Sequence, residues 1–309
     1  MPKVSVIIPT YNCVQYIRGA IDSVLNQTFK DIEIIVVDDG STDNTKDKLT
    51  PFIKDEQLLY LYQENRGPSS ARNFGIREAK SNYIAFLDAD DKFLPQMIER
   101  CVEELDRGEY DLVSVDNYIA YVSGGKTIKT EIQSYEWIEK DPGELYLTFL
   151  KVGGIGGPHK AVFRKWVLDK AGCFDTSLKI YEDLDLWIRI AKNGAKWKHI
   201  REPLLIYHSG IESSLFTTSS QRNQDNRLKV LQKHRKDATK QSPEMKEVFA
   251  QQLWNFGRSY ALEHRAYKKA IYCFVDSMCT HLSVGRVAKS AYSLLGSLIY
   301  RGNRSDPLL

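Results

Sequence analysis

The densest acidic group in the sequence is Asp88-Ala89-Asp90-Asp91, which directly follows an apolar run at residues 83–87. In extended backbone, residues i and i+2 project to the same side, so Asp88 and Asp90 are predicted to point together. Small Ala89 then turns away. Two like charges side by side are unfavourable unless something neutralises them. A hard divalent cation that also binds phosphate oxygens would do so, and this pattern therefore predicts a metal–phosphate site.

Two further acidic pairs could carry chemistry. Asp38-Asp39 ends an apolar run at 32–37, where carboxylates could accept hydrogen bonds from a nucleotide base or ribose. Helix capping is the alternative, but a cap needs one acid and not two. Glu182-Asp183 opens a predicted helix at 182–193, and a carboxylate at a helix N-terminus is favoured by the helix dipole whether or not it acts in catalysis.

Basic groups complete the set of chemical candidates. Asn65-Arg66-Gly67 leads through three residues into Ala71-Arg72-Asn73. A glycine-containing loop that enters a helix can present backbone N–H groups, and an arginine can hold anionic oxygens bidentately. His208 follows an apolar run at 204–207, where a lone histidine is more often structural than functional.

The first hundred residues contain the elements that would position these groups. Strands separated by 25–30 residues with helices between them indicate right-handed βαβ units and a mostly parallel sheet. Ligands bind such sheets at the carboxyl ends of the strands, so the loops after residues 9, 37 and 87 are the predicted site. The predicted strands are 4–9, 32–37, 58–62 and 83–87, and the predicted helices are 14–25, from an N-cap at Ser41 to about 50, and 68–80.

The rest of the chain changes character near residue 218. The segments 111–122, 126–132 and 160–164 have strand character, and the glycine-rich residues 153–158 predict a loop. Beyond 218 the patterns at 221–236, 244–264, 266–280 and 284–300 are helical. Two interpretations of this region stay open, one tetratricopeptide-like helix pair or a plain helical hairpin, the first suggested by the spacing of Trp254, Gly257, Tyr260, Ala270 and Phe274.

Composition is that of a soluble globular protein, with 42% hydrophobic and 27% charged residues. No apolar run has the roughly 18–20 residues that cross a bilayer, and no signal-peptide core is present, so a cytoplasmic location is expected. The five scattered cysteines predict reduced thiols. Residues 1–218 hold 27 basic and 33 acidic side chains, whereas residues 219–309 hold 16 and 7, a basic tail that could face anionic lipid or only water. We expect no nucleic-acid partner.

Other catalytic motifs are missing. The sequence contains no P-loop, no Gly-x-Ser-x-Gly elbow and no His-Glu-x-x-His. No Gly-x-Gly-x-x-Gly follows the first strand, which argues against dinucleotide redox chemistry.

Taken together, the motifs resemble those of glycosyltransferase family 2. Five motifs occur in family order over about 210 residues; the helical tail is not covered by them. They are 4–12 (ending Pro9-Thr10-Tyr11-Asn12), 37–43 (with Asp38-Asp39), 65–73, 86–91 (with Asp88-Ala89-Asp90-Asp91) and 182–187 (beginning Glu182-Asp183).

This resemblance implies a GT-A fold for residues 1–218, an α/β architecture with a mostly parallel sheet flanked by helices. The donor-binding half would be about 1–110, the acceptor-side half about 111–218, and residues 219–309 would form a helical extension. It also implies inverting transfer of a sugar from a nucleotide diphosphate to a hydroxyl of a saccharide or lipid-linked saccharide acceptor. UDP is the nucleotide that we expect by default.

The roles implied by the resemblance are carried over position by position. Pro9, Thr10, Tyr11 and Asn12 would line the base pocket, and Asp39 would bond the base edge. Gly67, Arg72, Asp88 and Ala89 would contact the donor. Asp90 would bind Mn²⁺ or Mg²⁺ directly, with Asp88 and His208 as further metal-site candidates. Asp183 would be the general base, with Glu182 beside it.

Two alternatives and one biological hypothesis remain. A sugar nucleotidyltransferase would need a glycine-rich phosphate loop where Pro9-Thr10-Tyr11-Asn12 stands. A non-catalytic scaffold would not need the acids at 39, 88, 90 and 183 together.

We expect residues 153–159 and 160–165 to border the acceptor. The hypothesis is surface polysaccharide assembly, with peripheral contact of the basic tail at the cytoplasmic membrane face through an amphipathic helix at 284–300, although core packing would explain that pattern equally well.

Overall fold

A computed structural model describes residues 1–135, 142–152, 154, 156–210, 220–241, 243–262 and 266–280. The chain divides into two compact units. The first comprises Met1–Phe149 with Gly153–Thr217, and the second comprises Leu150–Val152 with Thr218–Leu309.

The first unit is built on one mixed sheet, in which nine strands are described. The strands are β1 (Val4–Thr10), β2 (Ile32–Asp38), β3 (Leu59–Tyr62), β4 (Tyr83–Phe86), β5 (Lys92–Phe93), β6 (Leu112–Ser123), β7 (Lys126–Gln133), β8 (Ala161–Arg164) and β9 (Trp197–Ser209).

Seven α-helices precede residue 218 among the residues described. They are α1 (Ile17–Leu25), α2 (Thr45–Lys54), α3 (Pro68–Glu78), α4 (Met97–Asp106), α5 (Pro142–Val152), α6 (Lys165–Ala171) and α7 (Glu182–Lys192), with one 3₁₀ turn at Pro158–Lys160.

The strand order is β3-β2-β1-β4-β8-β6-β9-β5, and β7 pairs with β6 outside this path. Strands β3, β2, β1 and β4 run parallel to one another. Strand β8 is antiparallel to both β4 and β6, whereas β6 and β9 are parallel. The chain leaves β1 towards β2 on one side and returns to β4 on the other, so the carboxyl ends of β1, β2 and β4 border a switch point where ligands bind in such sheets.

Burial explains why these elements form where they do. All seven residues of β1 are buried, as expected of a central strand covered on both faces. Helix α3 begins with Pro68 at its first turn, where the missing N–H costs nothing. Gly75 of α3 packs directly on β1, since a Cβ at this position would overlap the side chain of Ile7. This close approach brings the N-terminal end of α3 up to the strand ends.

The predicted N-cap at Ser41 is wrong. The second helix begins at Thr45, and Asn44 occupies its N-cap position. The Ser41 N–H donates to Asp38 Oδ1 at 2.8 Å, and the Ser41 hydroxyl accepts from the Asn12 N–H at 3.0 Å. Residues 38–41 therefore form a turn that binds the neighbouring loop. The first helix also starts later than predicted, at Ile17 instead of residue 14.

Three helices are described in the second unit, α8 (Ser220–Gln241), α9 (Pro243–Leu262) and α10 (Tyr267–Thr280). Gly257 of α9 faces the ring of Phe274 in α10, where a Cβ would lie 2.8 Å from the ring carbons. The hydroxyl of Tyr260 donates to Asp225 of α8 at 2.6 Å, and Lys269 of α10 pairs with the same carboxylate. The unit is thus a packed three-helix arrangement over its described part.

Some predictions fall outside the described residues. The amphipathic segment 284–300 is one, and residues 153 and 155 of the predicted glycine-rich loop are others. Among the helices that are described, none combines the length and the apolar character needed to cross a bilayer.

Candidate active site

The loop after β1 forms a wall with the loop after β2. The Thr10 carbonyl accepts from the Asp39 N–H at 2.8 Å, and Pro9 pairs with Val37 across the strands. Asn12 has a left-handed backbone with φ of 52°, and its side-chain oxygen accepts from the Thr42 N–H at 2.8 Å. Beside it, the ring of Tyr11 is 45% exposed, so an aromatic face is open to a ligand at this edge.

The two acids at the end of β2 have different partners. Asp38 accepts from the Tyr60 hydroxyl at 2.8 Å and, as described above, from the Ser41 N–H. Asp39 accepts from the backbone N–H groups of Arg66 and Gly67, at 2.9 and 2.7 Å, and from the Gln63 side chain. Asp38 thus shapes its own turn, while Asp39 fixes the loop that leads into α3.

Arg72 joins three of the motifs. Gly67, with φ of 89°, turns the chain into α3, which places the buried Arg72 guanidinium between Asp88 and Glu182. Its two terminal nitrogens donate to these carboxylates at 2.7 and 3.0 Å. The guanidinium also lies over the Phe174 ring, 5.4 Å from its centroid. Burial opposes the charge, but Asp88 and Glu182 more than offset this and raise the pKa of Arg72.

Residues 88–91, which follow β4 and Leu87, have different surroundings. Asp88 is held by Arg72 and by His159, whose Nδ1 lies 3.0 Å from Asp88 Oδ2; although burial opposes ionisation, these two groups hold the pKa of Asp88 below its usual range. Ala89 is buried and makes room for its neighbours. Asp90 has no hydrogen bond or ion pair to the described residues. Burial and the charge of Asp88 raise the pKa of Asp90 to about 6.

Asp91 belongs to the site although the sequence reasoning gave it no role. Its side chain is fully buried, and its Oδ1 accepts from the His208 N–H at 2.9 Å. Burial, Asp90 and Asp88 raise the pKa of Asp91 well above the usual value. Asp91 Oδ2 has no hydrogen-bond partner within the described part of the chain. A buried carboxylate oxygen without a hydrogen bond is energetically unfavourable.

His159 was predicted only as the end of the 153–159 segment bordering the acceptor, and its place among the acids after β4 was not foreseen. Asp88, Asp91 and His159 each offer a ligand atom, and these atoms lie within 4.8 Å of one another. The His159 ring stacks on Tyr207 with centroids 5.7 Å apart and planes 4° from parallel. Its Nε2 is buried without a partner among the described residues. Of the metal-site residues suggested by the sequence, this cluster contains Asp88 but neither Asp90 nor His208.

His208 nevertheless lies against the same acids. Its Nδ1 is 3.9 Å from Asp91 Oδ1 and makes no hydrogen bond to any described residue. Burial lowers the pKa of His208, and the backbone carbonyl of Asp90 opposes this. The structure thus places His208 near Asp91 Oδ1, whereas His159 Nδ1 lies 3.8 Å from Asp91 Oδ2.

Glu182 and Asp183 begin α7. Tyr181 precedes them in a left-handed conformation, φ 65°, which turns the chain sharply into the helix. Asp183 accepts from the Leu184 N–H at 2.7 Å. Burial and the charge of Asp183 raise the pKa of Glu182 to about 7, and burial raises the pKa of Asp183. A carboxyl with a raised pKa in a cleft is suited to taking up a proton.

Lys160 is a third group without a role in the sequence reasoning beyond its place in the 160–165 segment. It is buried, and its Nζ donates to the Tyr135 hydroxyl at 2.8 Å and to Gln133 Oε1 at 3.0 Å. Burial lowers the pKa of Lys160 to about 7, against the attraction of Asp91 and Asp183. Its neighbour His159 faces Asp88, so one 3₁₀ turn supplies both groups to the site.

The structure thus brings Arg72, Asp88 and Glu182 into direct contact, with Asp90 and Asp183 adjacent to them in the chain. Asp39 is tied to the same assembly through Gly67 at the start of α3. That the acids at 39, 88, 90 and 183 border a single pocket stays a prediction. His159 and Lys160 follow a glycine-rich stretch, Gly156-Gly157-Pro158, and that stretch was the one sequence signal that could have directed attention to them.

Comparison with known proteins identifies the family. The model named Glycosyl transferase family 2 matches residues 5–171, more than half of the chain. The uncharacterised glycosyltransferase EpsJ of Bacillus subtilis is 30% identical over 216 residues, which cover 69% of this chain and 63% of the relative. An uncharacterised glycosyltransferase of Rickettsia prowazekii is 35% identical over 197 residues, 61% of this chain and 58% of its own length. Across the Rickettsia relatives the chain spans 26% to 59% of their length.

Solved structures share the fold. TarS of S. aureus, residues 1–349 in complex with UDP-GlcNAc, superposes with a TM-score of 0.69 at 19% identity, covering 99% of this chain and 94% of TarS. The mannosyltransferase PcManGT of Pyrobaculum calidifontis, in complex with GDP-Man and Mn²⁺, gives a TM-score of 0.57 at 20% identity, with 97% and 82% covered. The expected GT-A fold followed by C-terminal helices is confirmed. With a family model that covers the strand ends, the acid motifs after β2 and β4 and the 3₁₀ turn, the chain belongs to glycosyltransferase family 2.

Proposed function

We propose that the protein is a metal-dependent inverting glycosyltransferase that moves a sugar from a nucleotide diphosphate sugar, with UDP as the default nucleotide, to a hydroxyl of a saccharide or lipid-linked saccharide. The observation that carries this proposal is the Arg72 bridge. One guanidinium bonds Asp88, which follows β4, and Glu182, which stands next to Asp183. It therefore joins the donor-side acid Asp88 to the residue that directly precedes the proposed base, Asp183.

The residues present fit a divalent cation. Asp91 Oδ2, His159 Nε2 and His208 Nδ1 are buried polar atoms without hydrogen-bond partners among the residues described, and Asp90 directly precedes Asp91 in the chain. Carboxylate oxygens suit Mg²⁺ and Mn²⁺, and imidazole is tolerated by Mn²⁺. Asp90, Asp88 and Asp91 would hold the ion, with His159 or His208 completing the set. When bound, the ion would stabilise the negative charge of the departing diphosphate.

The protein groups divide the remaining work. Tyr11 offers an exposed ring to a base, and Asp39 holds the 65–67 loop against it. In a single displacement at the anomeric carbon, one carboxylate must accept the acceptor's proton. Asp183 would do this, because burial raises its pKa. Glu182, fixed by Arg72, would keep the start of α7 in place. TarS and PcManGT are bound to UDP-GlcNAc and to GDP-Man with Mn²⁺, which supports a donor of this class.

The first experiment is a thermal-shift screen of UDP, UDP-glucose, UDP-galactose, UDP-GlcNAc and GDP-mannose, with Mn²⁺, with Mg²⁺ and with EDTA. We expect stabilisation by a subset of these compounds that EDTA removes. Hydrolysis of the selected radiolabelled donor, with and without EDTA, then separates an enzyme from a non-catalytic scaffold. A protein that binds no nucleotide under any metal condition would contradict the proposal.

The role of the base has its own test. Asp183→Asn removes the proton acceptor but preserves the size of the side chain, so we expect unchanged donor affinity and a loss of turnover of about 100-fold or more. Donor affinity by calorimetry and turnover by product release are measured on the same preparation. Full activity in Asp183→Asn would show that another group takes the proton.

For biology, we propose a role in surface polysaccharide assembly at the cytoplasmic face of the membrane. The basic tail supports contact with anionic lipid, because residues 219–309 hold 16 basic and 7 acidic side chains.

A further inference from the structure

Asn73 follows Arg72 in α3 and has no role in the site as described above. Its Nδ2 donates to the Phe174 carbonyl at 2.8 Å, and its Oδ1 accepts from the Phe174 N–H at 2.9 Å. One side-chain amide therefore binds both backbone groups of a residue that lies 101 positions away. An amide offers a donor and an acceptor at the same end, whereas a carboxylate of the same size offers only acceptors, so these two bonds explain why asparagine fits here.

The residue that Asn73 holds contacts the centre of the site. Phe174 is buried, and its ring lies beneath the Arg72 guanidinium, a cation–π contact. The same ring packs edge-on against Phe86, with centroids 5.3 Å apart and planes at 85°. Phe86 ends β4 and precedes Asp88 by two residues. One ring thus contacts both the arginine and the strand that leads to its carboxylate partner.

The backbone before Phe174 is strained. After α6 ends at Ala171, Gly172 has φ of 83° and Cys173 has φ of 53°. A left-handed backbone costs a residue with a β-carbon on the order of 1 kcal/mol. Such a conformation persists only where surrounding contacts fix it, and it often accompanies a functional site. The position of the Phe174 ring is therefore set by contacts beyond local backbone preference.

A second helix supplies further contacts of this kind. Arg189 of α7 donates to the carbonyls of Ala171 and Cys173, the latter at 2.6 Å, and its Nε donates to Asp185 at 2.8 Å. Helix α7 begins with Glu182, which is one of the two carboxylate partners of the site arginine. The segment 171–174 is thus bonded to α7 and, through Asn73, to α3, and these are two of the elements that the arginine bridge joins.

We propose that Asn73 is a positioning residue that acts on Arg72 through Phe174. Asn73 fixes the Phe174 backbone, the Phe174 ring orients the guanidinium, and the guanidinium keeps its bonds to Asp88 and Glu182. Arg72 Nε is buried without a hydrogen-bond partner among the described residues, so the ring provides orientation that no hydrogen bond at Nε provides. This inference rests on the proposed function, because it concerns the arginine assigned to the donor side.

The competing explanation is that Asn73 only secures the loop after α6 and has no effect on Arg72. Both explanations predict a less stable protein when Asn73 is replaced, so unfolding experiments do not separate them. They differ in two respects. Only the positioning role predicts that Arg72 gains rotational freedom, and only this role predicts that nucleotide affinity depends on the Phe174 ring.

The first measurement follows Arg72 in the full chain without nucleotide or metal. Side-chain NMR gives the rate at which the guanidinium rotates about its Nε–Cζ bond, and Arg72→Lys identifies the signal. In Asn73→Ala we expect this rotation to be about fivefold faster, as loss of a contact of cation–π strength would give. Asn193→Ala is the matched control, because the Asn193 amide donates to the Lys170 carbonyl of α6 at 3.2 Å. It should leave the rotation unchanged.

The second measurement is the affinity for UDP in the presence of Mn²⁺, by calorimetry. Phe174→Leu removes the ring but keeps an apolar side chain, and we expect the affinity to fall about fivefold or more. Phe163→Leu is the matched control, because Phe163 is equally buried and also packs edge-on against Phe86, with centroids 5.9 Å apart. It removes a core ring of the same size and should bind UDP as wild type does.

A double-mutant cycle links the two results. If Asn73 acts through Arg72, Asn73→Ala should weaken UDP binding in wild type and have no further effect in Arg72→Lys. Unchanged rotation of Arg72 in Asn73→Ala would overturn the inference, as would equal losses of UDP affinity in Phe174→Leu and Phe163→Leu. The rotation measurement needs no nucleotide, so it decides the inference even if wild type fails to bind UDP, a result that would contradict only the proposed function.

Discussion

At the scale of single residues, the site holds more carboxylates than its cations neutralise. Asp90, Asp91, Glu182 and Asp183 all have raised pKa values, for which burial is the first cause. Arg72 is shared between Asp88 and Glu182 and cannot compensate the rest. In the metal-free protein these acids therefore disfavour the folded state whenever they ionise, and a bound divalent ion would reverse the effect.

Asp90→Asn should stabilise the metal-free protein while it abolishes the response to metal. The folded-state pKa of Asp90, about 6, lies above the unfolded value of about 3.9. The folded state therefore binds the proton more tightly, and its stability falls as pH rises from about 4 to about 6. We expect the variant to gain on the order of 1 kcal/mol at pH 7.5 and nothing at pH 4, allowing for partial exposure of the side chain.

Denaturant unfolding at both pH values, with EDTA or with Mn²⁺ and UDP, checks this prediction. Asp22→Asn is a suitable control, because Asp22 lies on the exposed part of α1 with only Arg18 as its ion-pair partner among the described residues. Equal stabilisation of wild type and Asp90→Asn by Mn²⁺ and UDP would contradict the assignment of Asp90 to the metal site.

The pH dependence of turnover should reflect the raised pKa of Asp183. A base acts in its ionised form, so kcat/KM should rise with pH through this pKa and level off above it. The acidic limb should lie at higher pH than an ordinary aspartate with a pKa of about 3.9 would give. Donor and metal affinity measured over the same pH range separates this limb from loss of the metal. A profile that is flat down to pH 4.5 would argue against Asp183.

Part of the site could be predicted from sequence and part could not. Asp88 and Asp90 were proposed from a period of two in extended backbone, but residues 88–91 form a turn in which the Asp91 N–H donates to the Asp88 carbonyl at 3.0 Å. Arg72 was proposed because it follows a glycine loop into a helix. His159 approaches Asp88 across 71 positions of sequence, and Lys160 contacts Tyr135 and Gln133 across 25 and 27 positions, separations that no local pattern specifies. Such contacts depend on strand pairing, which side-chain periodicity does not encode.

At the scale of elements, α3 is the part on which the site depends most directly. The N–H of Gly67, just before the helix, donates to Asp39. Arg72 in the middle of the helix bonds two of the acidic motifs, and Gly75 near its end packs against β1. A single glycine thus sets the distance between the helix and the strand. This distance also bears on Arg72, because Arg72 lies three residues before Gly75 and residues at this spacing are neighbours on a helix surface.

Gly75→Ala should destabilise the protein by up to about 2 kcal/mol. Alanine favours a helix over glycine by about 1 kcal/mol, but its Cβ would overlap Ile7 in a fully buried strand, and overpacking costs about 1–3 kcal/mol. Donor affinity should fall as well, since Arg72 moves with the helix. Both are measured on the purified variant, by chemical unfolding and by calorimetry with UDP and Mn²⁺.

Gly19→Ala is the matched control for this substitution. Gly19 also lies inside a helix, but a Cβ there would meet only the flexible end of Lys92, at 3.0 Å from Cε. We expect neutral or slightly improved stability, because the lysine can move aside and alanine favours the helix. A loss as large as that of Gly75→Ala would mean that helix packing does not explain either result.

The sequence indicated the alternation of strands and helices in the first hundred residues, and the structure has it. The predicted start of the helix after β2 was wrong. Ser41 is a residue type that often caps helices, but here its N–H donates to Asp38 and its hydroxyl accepts from Asn12. The segment 160–164 was identified as a strand, but nothing in its composition shows that it runs antiparallel between β4 and β6.

At the scale of the whole molecule, the chain combines a mixed α/β unit with a helical unit of opposite charge balance. The first 218 residues carry more acids than bases, and the remainder carries 16 bases against 7 acids. The helical unit has its own packing, with Gly257 against Phe274 and Asp225 between Tyr260 and Lys269. Nothing in the acidic motifs requires this unit for donor binding.

A chain ending at residue 218 should separate the two contributions. We expect it to retain UDP affinity in the presence of Mn²⁺, because every donor-side residue lies before this point. If the basic tail contacts anionic lipid, full-length protein should co-sediment with liposomes containing phosphatidylglycerol, less so at 0.5 M salt, and the shortened chain should not. Equal pelleting of the two chains would end the membrane hypothesis.

The hydrogen bonds of Asn12 to residues 41–43 have a consequence for the kinetics of nucleotide binding. Its left-handed backbone and side-chain oxygen fasten the loop after β1 to Thr42 and Asp43, while its N–H reaches Ser41. The wall beside Tyr11 is therefore assembled before any nucleotide arrives, and no ordering of these two loops has to accompany association. Nucleotide mixing should then give a single exponential phase whose rate rises linearly with concentration, with no plateau from a slow rearrangement.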